Sequence, residues 1–183
     1  MKRLFDDPLK HTASYTDAEI NKGLNYLIND TNGGYDAYEL FNPKVPLDLR
    51  KDTVAAMFNI FAQIFQPRCS HFLEHLARTK DDKQGVNPLN AVCYMWWDII
   101  PFYGKSGNPD RDVLDEPCLQ VMEKTLALDS MACQESALHG LGHWHMAYPE
   151  RVETIIDAFL KANPKLDARL RAYADAAHHG AVL

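Results

Sequence analysis

From Arg50 onward the chain repeats one kind of signal, and it narrows the fold more than any other feature. Apolar residues recur three and four apart, prolines interrupt them, and no stretch keeps a two-residue alternation between turn signals. Val54, Met57, Phe58, Phe61, Ile64 and Phe65 form a wide stripe closed by Pro67. Phe72, Leu73, Leu76 and Ala77 form a narrower one. Asn87-Pro88 opens an aromatic-rich helix from Leu89 to about Ile100, with a cap followed by a first-turn proline. Further helices are predicted over 116–128, 131–148 and 149–162, and a last one ends near His179-Gly180. Residues 104–115 form a long loop. The chain is therefore expected to be all-α.

Residues 1–49 read as an irregular cap region with one helix, and 50–183 as the helical body of a single domain. Thr16-Asp17-Ala18-Glu19 has capping-box spacing, Ile20, Leu24, Leu27 and Ile28 follow in helical register, and Asn32-Gly33-Gly34 ends that helix.

At offsets of 34 and 35 the C-terminal helices align. Cys118, Val121, Met122 and Leu126 meet Val152, Ile155, Ile156 and Leu160, and Ala137–His143 meets Ala172–His178. Helices rich in Ala, Gly and Leu alternate with Val/Ile/Leu/Phe-striped ones. On these residues, clearest over 116–179, the chain resembles the HEAT-like or armadillo-like helical-repeat superfamily. That resemblance implies a short α-solenoid of about three helix pairs. It also implies a non-enzymatic protein-interaction module, because repeat arrays expose long concave surfaces. The long loop, Trp96-Trp97 and residues 1–49 depart from the family's pattern.

Charge refines the expected partner. The chain carries −6 overall, and residues 111–150 alone hold two basic against seven acidic residues. No segment is basic enough to hold a nucleic acid, which counts against a HEAT-like base-excision enzyme, the least favoured alternative. A partner with a basic surface suits the acidic stretch, where Asp112, Asp115 and Glu116 are candidate binding residues together with the aromatic anchors Trp96 and Trp97. The apolar end Gly180-Ala181-Val182-Leu183 suggests self-association. The longest apolar run, Ala91–Trp97, stops at Asp98 and is too short for a membrane span. Four scattered cysteines, none in C-x-x-C, and the lack of a signal-peptide pattern point to a reduced, cytoplasmic protein.

No cofactor is required by any complete motif, and phosphate-binding and nucleophile-elbow templates are missing. The histidines supply the rival reading, a metal-dependent hydrolase holding zinc. Glu135, His139 and His143 stand four apart and advance about 40° per step, so they share one helix stripe. That stripe lies opposite Ala137, Leu141 and Trp144 and is expected to face outward. His71-Phe72-Leu73-Glu74-His75 fits H-x-x-E-H, in which two histidines bind zinc and the glutamate acts as base. The plain alternative for both sets is a polar helix face. Gly140-Leu141-Gly142 in mid-helix costs about 1–2 kcal/mol against alanine, which close helix packing explains best.

Overall fold

The computed structural model describes residues 1–29 and 35–182, so the predicted helix stop at 32–34 lies outside the described residues. The chain is all-α, with no strand among the described residues. The helices are α1 (Lys2–Asp6), α2 (Pro8–Thr12), α3 (Asp17–Ile28), α4 (Leu47–Ile60), α5 (Gln66–Arg68), α6 (Leu89–Tyr94), α7 (Trp96–Ile99), α8 (Pro109–Asp112), α9 (Asp115–Leu126), α10 (Met131–Trp144), α11 (Pro149–Ala162) and α12 (Ala168–His178). A π-helical turn, Phe61–Phe65, joins α4 to α5.

The helix ends follow local chemistry. Thr16 Oγ1 accepts from Glu19 N while Glu19 Oε2 accepts from Thr16 N, the reciprocal capping box, and Ile20, Leu24 and Ile28 bury the inner face of α3. Asn87 Oδ1 accepts from Leu89 N at the start of α6. Pro149 takes the first position of α11. The N-terminal region is more helical than its sequence suggests, since α1 and α2 precede α3 and α1 packs on α4.

Two departures concern the site. The predicted helix around Phe72–Ala77 is an extended segment with one 3-10 turn, Glu74–Leu76. The helix predicted over 89–100 is two, α6 and α7, meeting at Met95. The short α7 carries Asp98 toward α10.

The packing has two rows. In one, α9 lies between α4 and α11; in the other, α10 lies between α6–α7 and α12, and α9 packs on α10 across the rows. The core is continuous from Phe5 to Ala177 and is centred on Phe61, Phe65 and Trp96, whose rings meet edge to face at 5.3–5.8 Å. Helix α10 is enclosed on nearly every side. A Cβ on Gly140 would stand 2.5 Å from Trp97 Cγ, and one on Gly142 2.6 Å from the Val182 methyls. The two glycines thus let α7 and the C-terminal tail approach the α10 backbone. The tail turns at Gly180 (φ +68°) and lays Val182 on α10, so that apolar residue packs within the molecule. No helix among the described residues is long and apolar enough to cross a membrane.

Candidate metal centre

The enclosure of α10 changes the meaning of its polar stripe. Glu135 (0% exposed) and His139 (1%) are inside the protein rather than on its outer face, and His143 reaches solvent. The amphipathic argument gives the angle among the three residues but presumes one free face. Here α6, α7 and α12 cover that face.

Glu135 and His143 diverge. Glu135 turns toward the 74–76 segment and accepts three hydrogen bonds: from Glu74 N (3.0 Å), from His75 N (2.9 Å) and at His75 Nδ1 (2.6 Å). With its lone pairs used this way it is not free to join His139 and His143. His75 is thus held by Glu135 and stacks on the Tyr173 ring at 4.0 Å. Glu74 pairs with Lys83, and His71 lies exposed beside a separate cavity lined also by Gln134 and Leu170. The H-x-x-E-H residues therefore do not share a helix face and do not converge on one point.

Convergence occurs instead around Asp98. Its Oδ2 lies 2.9 Å from His139 Nε2 and its Oδ1 3.1 Å from His143 Nε2, while the two ring nitrogens stand 3.2 Å apart. Among the described residues, Asp98, His139 and His143 are the group of three metal-binding side chains whose ligand atoms come together. An ion with bonds of about 2.0–2.2 Å spaces adjacent ligand atoms roughly 3.0–3.5 Å apart. The three separations lie at the short end of that spacing.

The surroundings orient the ligands. Tyr173 Oη, from α12, sits 2.6 Å from His139 Nδ1 and 3.3 Å from Tyr94 Oη. When Nδ1–H donates to Tyr173, Nε2 presents a lone pair to the centre, as metal-ligating histidines generally require. The Tyr94 ring also packs on His139, with centroids 4.4 Å apart. Burial opposes the charged Asp98 carboxylate, but hydrogen bonds and charge from His139 and His143 outweigh it and hold its pKa well below the usual range. The bond to Asp98 raises His143 above its ordinary value, against its own desolvation. Burial, with help from Tyr94, pushes the Tyr173 hydroxyl far up, so it stays a neutral donor and acceptor.

The other candidate binding residues separate. Trp96 and Trp97 are buried (0% and 2% exposed), so neither is a surface anchor. Asp115 is also buried and accepts from Lys105 N (2.7 Å) and Tyr148 Oη (2.6 Å), which ties the 104–115 loop to the start of α11. Glu116 pairs with Arg151, and Asp112 accepts from Ser106 N and Oγ. The acidic stretch is thus partly internal and partly paired.

Asp98, Tyr94 and Tyr173 are the site residues that the histidine spacing misses. Asp98 carries a faint signal, being the lone charge in the apolar run 89–100. Tyr173 lies 34 residues beyond His139 and nothing local marks it. Compared with known protein families, curated proteins and solved structures, the chain matches none.

Proposed function

We propose that the protein is a metal-dependent hydrolase whose ion, zinc, is held by Asp98, His139 and His143. The observation that carries this reading is the mutual 2.9–3.2 Å spacing of one carboxylate and two imidazole nitrogens on separate elements. Three protein ligands with a fourth corner open is the catalytic zinc arrangement, and the bound ion supplies Lewis acidity and a water acidic near neutral pH. The chain's own residues do the rest. Asp98 offsets the ion's charge, Tyr173 fixes the His139 tautomer, and Tyr94 shields that ring from water. Partly exposed Asp98 and His143 leave the outer side open, with buried His139 behind them.

The test is hydrolysis of p-nitrophenyl acetate by zinc-loaded protein. Turnover that chelation abolishes, that zinc restores, and that His143→Ala removes is expected. Turnover indifferent to chelator, or stoichiometric iron in place of zinc in protein from native cells, overturns the assignment.

A second reading is a protein-interaction module built as a short HEAT-like array, with α4 paired to α6–α7, α9 to α10 and α11 to α12. What supports it is the two-row packing, in which each helix touches the next of its row. Its partner would have a basic surface and would meet the exposed part of the acidic loop around Asp112. A chain that binds no transition metal at all favours this reading over the first.

A further inference from the structure

The open side of the Asp98–His139–His143 centre is not bare solvent. Asp98 and His143 line a cavity of about 300 Å³ whose other walls are Trp97, Phe102, Tyr103 and Trp144. The two more accessible ligands thus open into an aromatic chamber. Trp97, Phe102 and Trp144 are at most 2% exposed, so these walls are fixed by the core, and Phe102 is braced by Phe41 at 5.0 Å. Tyr103 differs: it is 59% exposed and stands at the mouth, with the Arg111 guanidinium 5.7 Å from its ring. Gly104 (φ +59°) turns the chain just beyond Tyr103, with Trp144 side-chain atoms 3.3 Å from where its Cβ would be.

A chamber of this size lies at the low end of ligand pockets, which suits a small molecule. Its walls offer ring faces and edges but few polar groups, so they recognise a flat apolar group by stacking. The polar end of the chamber is the metal centre, and Arg111 adds positive charge near the mouth. We infer that the substrate is a small aryl compound whose ring occupies this chamber and whose carbonyl or acid oxygen, attached directly to the ring, reaches the ion. The inference rests on the metal-centre reading and adds to it the chemical class of the substrate.

Hydroxamates provide the probe, because the same oxygen pair can be offered with or without a ring. Zinc binding to the full chain is measured first. Then benzohydroxamate and acetohydroxamate are titrated into zinc-loaded protein, with the tryptophan emission of Trp97 and Trp144 as readout. Benzohydroxamate is expected to bind at least about tenfold more tightly, with a change in emission that acetohydroxamate does not produce. Tyr103→Ala, at an exposed position, should cut that preference about fivefold and leave acetohydroxamate unchanged, while Tyr103→Phe keeps it. Equal affinity for the two hydroxamates on zinc-loaded protein, or a preference that survives Tyr103→Ala intact, overturns the aryl chamber and leaves the metal centre standing. Failure to bind zinc overturns both.

Discussion

Two carboxylates flank His139, and they are used in opposite ways. Behind it, Glu135 is fully buried and meets donors: two backbone amides and a histidine ring. In front, Asp98 is partly exposed and meets two imidazole nitrogens that also face each other. The first arrangement is complete as it stands, and it fastens the irregular 74–76 segment to α10. The second brings three electron-rich atoms together with few protons to share, which a cation resolves. Charge and residue type are the same in both places; the number of donors around the carboxylate separates a structural pin from a binding site.

Substitutions can break or sharpen that contrast. The largest effect is expected from Glu135→Ala, which orphans two buried amides and frees the His75 ring, costing about 3–5 kcal/mol in urea unfolding. Asp98→Ala, at a partly exposed position, should cost about 1 kcal/mol or less in metal-free protein; equal losses at the two positions would erase the distinction. Next, His139→Ala and Asp98→Asn should each weaken zinc binding at least about a hundredfold, more than the loss of an outer-shell partner generally costs. In wild type, free zinc at about 100 times Kd should raise Tm by roughly 5–10 °C, and in those variants by none. Third, Gly140→Ala drives a methyl into Trp97, and α7, which carries Asp98, must move. A stability loss of about 1–3 kcal/mol together with weakened zinc binding is expected, whereas a purely structural glycine would lower stability alone. The smallest effect is expected for Tyr173→Phe: zinc affinity should fall about tenfold as the His139 tautomer is released, with stability changed by about 1 kcal/mol.

Sequence patterning reached the fold class and much of the helix layout, because those depend on local periodicity and caps. Helix α11 runs from Pro149 to Ala162, where proline and apolar spacing place it, and the capping box at Thr16 forms as its residues predict. Segment 72–77 escaped the same logic. Its apolar residues repeat with helical spacing, yet Glu135 takes the amides of Glu74 and His75 from α10, and one 3-10 turn is all the helix that forms. The site was half legible. His139 and His143 are four apart on a helix, and that spacing sets both Nε2 atoms on one side. Which carboxylate joins them was not legible, since Glu135 shares the stripe while Asp98 arrives from 41 residues away through the packing of α7 on α10. The inward turn of the stripe depends on how many neighbours α10 has, a property of the whole fold. Glycines 140 and 142 hinted at it, being room for Trp97 and Val182 rather than for a ligand.

The central claim is that Asp98, His139 and His143 hold one ion. X-ray absorption at the zinc edge, on protein loaded with one equivalent of zinc, tests it most directly when wild type is compared with Asp98→Asn, His139→Ala and Glu135→Gln. The account predicts two imidazoles and a carboxylate oxygen at about 2.0–2.2 Å in wild type, the same shell in Glu135→Gln, and loss of stoichiometric zinc in the other two. A zinc shell unchanged by Asp98→Asn and His139→Ala, or no bound zinc in wild type, would contradict it.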